Sequence, residues 1–198
     1  IDKDSYLPSQ SVEVSGTVGR SHALPASVAL SFLGTQYSSL VSNNTFSYSI
    51  RLPKNIKSGR HVLSFAVNDS YGNSGSASIG FSAQAVPTRI VNTLSSRSLK
   101  PGEKFYLSVL IYDQADDLIS SQIAVRTSDS AGNTVFSASN YTGTNITLAF
   151  PADQPPGAYT LASSGKGLTE ASPLVVEEVE SVSVVFSNGI VVLNNTGN

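Results

Sequence analysis

The chain alternates. Between residues 45 and 52, Phe46, Tyr48, Ile50 and Leu52 fall on one side, and Ser47, Ser49 and Arg51 fall on the other. A period of two with one apolar side predicts a strand half buried in a sheet. The same alternation marks Val12 and Val14, then Val28, Leu30 and Phe32, then Leu63, Phe65 and Val67, with a last run over residues 76–81. Gly, Pro and Asn break the pattern about every eight to twelve residues, the spacing of short strands in a sandwich. No window holds an amphipathic helical pattern for three turns. Residues 1–11 are mostly polar, contain Pro8, and read as a lead-in or an exposed arm.

A second series starts at Thr88, with strands predicted over residues 90–94, 105–112, 122–127, 134–138, 145–150, 158–162 and 173–177. The chain therefore divides into two β-sandwich domains, 1–85 and 86–180, and a β-strand tail, 181–198. The two domains read as a repeat. At an offset of 98, Gly34 meets Gly132, Ile50 meets Leu148, Leu52 meets Phe150, Pro53 meets Pro151, Gly59 meets Gly157 and Leu63 meets Leu161. In each half an alternating strand ends at Pro, which stops ladder pairing. A Gly comes next and lets the chain turn a corner. The next strand then opens Gly-x-aromatic-x-Leu, with His61 or Tyr159 as the ring.

Composition changes the picture in one direction. Of the 198 residues 40% are hydrophobic, enough for a core, while only 13% are charged and the net charge is −2. Ser (35) and Thr (13) take the place of charge on the surface. That balance lacks the basic stripe of a nucleic-acid binder, and no run reaches the roughly 18 apolar residues of a membrane helix. No partner nucleic acid and no membrane insertion are expected. The chain has no Cys, so neither disulfides nor thiolate metal sites are available. It has no Met either, which fits a processed or partial chain. Asn-x-Ser/Thr sequons occur at Asn43, Asn68, Asn140, Asn145 and Asn194, near predicted turns and strand ends. They predict surface N-linked glycans on a secreted protein.

Candidate chemistry is sparse. Asp69-Ser-Tyr-Gly-Asn73 and Asp129-Ser-Ala-Gly-Asn133 share the pattern Asp-Ser-x-Gly-Asn. One reading is calcium held by carboxylate and amide oxygens. The favoured reading is a hairpin turn capped by Asp, with Gly in the left-handed region. Asp113, Asp116 and Asp117 form a second acidic candidate, again weighed against a surface loop. His22 and His61 are the only histidines and lack zinc spacing. A corner or packing role suits His61, which takes the place of Tyr159 in the repeat. Lys104 is the lysine to inspect for an isopeptide crosslink, against ordinary snorkelling. No nucleophile elbow, phosphate loop or converging acid pair is present. The chain is therefore expected not to be an enzyme and to carry no cofactor and no metal.

Two resemblances rest on particular stretches. Residues 58–73, Ser-Gly-Arg-His-Val-Leu-Ser-Phe-Ala-Val-Asn-Asp-Ser-Tyr-Gly-Asn, resemble prokaryotic extracellular Ig-like domains, which carry Gly-x-x-x-Leu-x-x-x-x-x-Asp-x-x-Gly-Asn. Pro155-Pro-Gly-Ala-Tyr-Thr-Leu161 is similar without the Asp ending. The resemblance implies an all-β, tandem Ig-like architecture and a location outside the cell. The lack of Cys, the sequons and the surplus tail resemble archaeal thread pili, donor-strand filaments in which one subunit lends a strand to the next. That likeness implies a homopolymer of copies of this chain.

The tail is the most strand-prone stretch: Ser-Val-Ser-Val-Val-Phe over 181–186 and Ile-Val-Val-Leu over 190–193, with Asn188-Gly189 between them. Asn-Gly between apolar runs is a strong hairpin signal. Three fates are open: a hairpin capping the second domain, the opening of a third domain, or donation to a neighbour. Donation is the expectation, with Ile190, Val191, Val192 and Leu193 as the donor strand. The expected function is a structural subunit of an extracellular filament or surface array. The alternative is an adhesin or carbohydrate-binding module, with Tyr37, Tyr71 and Tyr141 as loop aromatics.

Overall fold

The computed structural model describes residues 1–19, 26–187 and 190–195. His22, the Asn188-Gly189 pair and Thr196 of the last sequon lie outside the described residues. The chain divides into two compact units, Ile1–Val86 with Asp113–Asp117, and Pro87–Tyr112 with Leu118–Asn198. Both are all-β.

The first unit holds β1 (Ser5–Tyr6), β2 (Ser11–Thr17), β3 (Ala26–Phe32), β4 (Thr35–Leu40), β5 (Thr45–Arg51), β6 (Gly59–Asp69) and β7 (Ser74–Ala83). One sheet runs β1-β7-β6-β3-β4 and the other is the pair β2-β5. The alternation read from sequence becomes the core. Val12, Val14, Tyr48 and Ile50 from the two-stranded sheet meet Leu30, Leu63 and Phe81 from the five-stranded one. Polar residues between them stay outside, as a strand's two faces require. The Tyr48 hydroxyl crosses the sandwich to donate to the Val28 carbonyl, and burial raises its pKa.

The second unit holds β8 (Pro87–Leu94), β9 (Ser98–Leu99), β10 (Lys104–Asp113), β11 (Gln122–Ser128), β12 (Thr134–Tyr141), β13 (Asn145–Ala149), β14 (Gly157–Gly165) and β15 (Leu168–Val176). Its sheets run β9-β15-β14-β11-β12 and β13-β10-β8. In both units the first short strand lies parallel to the last, β1 on β7 and β9 on β15. The remaining strand order is that of an immunoglobulin-like sandwich.

The repeat read from sequence is therefore structural. Gly59 opens β6 and Gly157 opens β14, with φ of 106° and 144°. The offset of 98 holds for this corner, but the outer strands match at 93. Tyr6 pairs with Ala83 as Leu99 pairs with Val176. Val12 pairs with Ile50 as Phe105 pairs with Leu148. Three residues of the difference arise because the hairpins exchange turn types, and the rest from shorter paired strands in the second unit. In the first unit Leu33 and Gly34 (φ 48° and 78°) make a two-residue turn between β3 and β4, and a five-residue Asp turn joins β6 to β7. In the second unit the Asp turn joins β11 to β12, and Lys166-Gly167 (φ 50° and 79°) joins β14 to β15.

One expectation is corrected. Residues 1–11 are not an exposed arm. Tyr6 is fully buried, packs edge-on against Phe81 at 5.5 Å, and its hydroxyl donates to Asp2 Oδ1 at 2.6 Å. Burial and that acceptor push the Tyr6 hydroxyl up to about 12. A two-residue strand is too short to show alternation, so the pattern missed it.

Candidate functional site

The C-terminal segment forms a ribbon of two antiparallel strands, β16 (Val182–Ser187) and β17 (Ile190–Asn195). Among the described residues these strands pair only with each other. Paired residues share a face, so Val184 with Leu193 and Phe186 with Val191 make one apolar side. Val185 with Val192 puts more apolar surface on the other. All of these side chains are exposed, Phe186 by 77%, Leu193 by 66% and Ile190 by 64%.

The tail expectations resolve unevenly. The hairpin signal is realised, so the main chain of Ile190, Val191, Val192 and Leu193 has an in-chain partner on one edge. The alternative reading has the paired tail cap the second domain. Among the described residues the ribbon joins neither sheet of that unit. The segment is a two-stranded ribbon with uncovered side chains, rather than a lone strand. An isolated hairpin is marginal in water, and an exposed apolar edge invites a further strand.

The acidic candidates resolve into one turn used three times. Asp69 Oδ1 accepts the amides of Tyr71 and Asn73, both at 2.9 Å, and Oδ2 accepts Asn73 Nδ2 at 2.8 Å. Asp129 repeats this with Ala131, Asn133 and Asn133 Nδ2 at 3.0, 2.8 and 2.9 Å. Asp113 Oδ1 accepts the amides of Ala115 and Asp117 at 2.8 and 3.0 Å. Gly72 and Gly132 take the left-handed position (φ 86° and 87°), and Asp116 takes it in the third copy (φ 62°). The Asn73 side chain, with turn amides behind it, holds the Asp69 carboxyl below the usual range, and Asn133 does the same for Asp129. Carboxylates engaged by their own turns fit the capping reading.

The corner residues also resolve. The Tyr159 hydroxyl donates to the Pro155 carbonyl at 2.7 Å and accepts from Gln154 Nε2 at 2.7 Å. His61 Nε2 meets the Lys57 carbonyl at 2.8 Å. Both rings reach back four residues, the tyrosine-corner geometry of Ig sandwiches. The offset of 98 pairs these two rings in the sequence as well. Lys104 is exposed and lies opposite Ala149 in the ladder, which gives the crosslink no neighbouring acceptor across the strand pair.

Asn43, Asn68, Asn145 and Asn194 are exposed. Asn140 is half-buried, and its Oδ1 accepts the Tyr141 amide at 2.9 Å. Tyr71 and Tyr141 are widely exposed, while Tyr37 lies on β4 at the margin of exposure.

The feature sequence reasoning missed is a groove in the first unit. It has a volume of about 410 Å³ and runs between the outer edge of β2 and β7. Val14, Val28, Phe46, Phe65, Val67 and Ile79 supply its apolar floor. Its signal in the sequence is weak: an alternating strand that slackens to Ser15-Gly16-Thr17 where its counterpart reads Ser108-Val109-Leu110. The Phe46 ring lies over Gly16, where an added Cβ would meet its Cζ at 2.5 Å.

No family model matches the chain, and no curated protein matches it. Among solved structures it is similar to the amphioxus IgVJ-C2 molecule, with 13% identity and a TM-score of 0.45, covering 87% of this chain and 98% of that one. The Ig-like assignment rests on strand order and core, with both units showing the same arrangement.

Proposed function

We propose that the protein is a non-enzymatic structural subunit of an extracellular filament or surface array, assembled when one copy lends its C-terminal ribbon to another. The observation that carries this reading is the ribbon itself: two strands with apolar faces that, among the described residues, pair with each other and join no further sheet. Each aliphatic side chain covered by a neighbour contributes roughly 1.5–3 kcal/mol before ordering costs. Three or four of them, with a main-chain ladder, suffice to hold copies together. Glycans on the exposed sequons suit a surface whose hydroxyls replace charge.

The test is electron microscopy of native and recombinant material beside a chain lacking residues 190–198. Fibres with a one-subunit repeat are expected from the full chain and folded monomers from the shortened one. Fibres from the shortened chain would refute the role of the ribbon. The second reading, a carbohydrate-binding module, draws on the exposure of Tyr71 and Tyr141. Glycan-array binding by the monomer would favour it.

A further inference from the structure

The smaller sheet of the second unit, β13-β10-β8, carries an uncovered ring and a sequon on one face. Leu107, Val109 and Ile111 of β10 are buried, so Tyr106, Leu110 and Tyr112 lie on the outer face. The two tyrosines differ in what covers them. The Arg89 guanidinium lies 3.8 Å from the centre of the Tyr112 ring. Tyr106 is 52% exposed, and among the described residues no ring or cation lies against it. A bare aromatic face gains free energy when something takes it out of water.

The ladder brings a sequon beside that ring. β13 runs antiparallel to β10, with Asn145 opposite Ser108 and Thr147 opposite Tyr106. Opposed residues share a face of the sheet. Ile146 between them is buried, and Asn145 and Thr147 are exposed. Tyr106 and Leu110 are therefore the two diagonal neighbours of Asn145, roughly 7–8 Å away in such a pair. A sugar attached to the Asn145 amide spans that distance.

Three other sequons are built differently. Asn68 lies opposite Ser27 and Ser74, with no ring across the ladder. Asn140 lies opposite the buried Ile123, and its Oδ1 already accepts the Tyr141 amide. The hydroxyl of Thr142 in the same sequon donates to the Ile119 carbonyl at 2.9 Å. Asn43 sits in a turn with φ of 50°.

We propose that Asn145 carries an N-linked glycan whose first sugar stacks on the Tyr106 ring, so that the glycan covers the outer face of the β13-β10-β8 sheet. A pyranose suits this position. Its C–H groups meet the negative face of the aromatic ring, and the hydroxyls around its rim stay in water. The bond forms when the Asn145 amide nitrogen attacks the anomeric carbon of a lipid-phosphate-linked oligosaccharide. The lipid phosphate leaves and takes up the amide proton. The inference rests on the extracellular part of the proposed function and not on strand donation.

The test uses the full-length chain exported from a eukaryotic secretion host, as wild type, Tyr106→Leu and Tyr106→Phe. Tyr106 is exposed, so both variants should fold like wild type. Peptide mass spectrometry should find Asn145 modified. The glycan is then trimmed to its first N-acetylglucosamine, and the C–H proton signals of that sugar are read by NMR. They should lie upfield of their usual positions because of the ring current, stay there in Tyr106→Phe, and return in Tyr106→Leu. An unmodified Asn145 overturns the inference, and so do sugar signals that Tyr106→Leu leaves unmoved. Both results are read on single copies, so either leaves strand donation standing. A lack of fibres in electron micrographs would equally leave the Asn145 glycan in place.

Discussion

β8 lies along β10 and reaches across to β15, where Asn92 Nδ2 donates to Ser172 Oγ at 3.2 Å. Ile90 projects from β8 into the second core and is only 7% exposed. Truncating a buried Ile to Ala removes its transfer free energy and leaves a cavity, together about 2–5 kcal/mol. Because Ile90 lies on an outer strand that relaxes more easily than a central one, Ile90→Ala should cost about 2–4 kcal/mol. Ile79 of β7, which lines the groove of the first unit, is the comparison. It is half-buried at the groove, so Ile79→Ala should cost about 1–2 kcal/mol in isolated monomers. Urea unfolding monitored by far-UV circular dichroism reads both losses as midpoint shifts at constant slope. Tyrosine fluorescence gives a second probe, since the chain has no Trp. Equal costs for the two variants, or a loss below about 1 kcal/mol for Ile90→Ala, would refute the claim that β8 completes the core of the second unit.

The turns and corners give three further expected outcomes. Asp116 holds φ at 62° where the sister turns use Gly72 and Gly132, so Asp116→Gly should stabilise by about 0.5–1 kcal/mol in thermal unfolding. Tyr159→Phe removes the hydroxyl that spans Pro155 and Gln154 and should cost about 1–2 kcal/mol by denaturant titration. Asp69 and Asp129 have depressed carboxyl pKa values from Asn73, Asn133 and the turn amides, so their stabilisation is full above the unfolded pKa, near 4, and disappears as pH falls through the lower folded value. The destabilisation caused by Asp69→Asn together with Asp129→Asn should therefore shrink progressively when melting is measured from about pH 5 towards pH 2.

Much of this fold was legible because a strand's two faces write themselves into the chain as alternation. Phe46 to Leu52 and Leu63 to Val67 predicted their own burial, and the spacing of Pro, Gly and the corner ring exposed the repeat. The Asp-Ser-x-Gly-Asn turns and the His61 and Tyr159 corners were readable for the same reason: their partners lie within five residues in sequence. The third copy of the turn was harder, because Asp116 stands where Gly is expected, and Tyr6 was lost because two residues carry no period.

An all-β, repeated chain with a tail apolar on both sides can be read from the order of residues alone. The tertiary structure alone shows that among the described residues the tail is a ribbon joined to no other sheet, and that β8 lies beside β10 and bonds across to β15. Alternation records whether a residue faces in or out of its own sheet. It does not record which strand lies alongside, because pairing joins residues far apart in sequence.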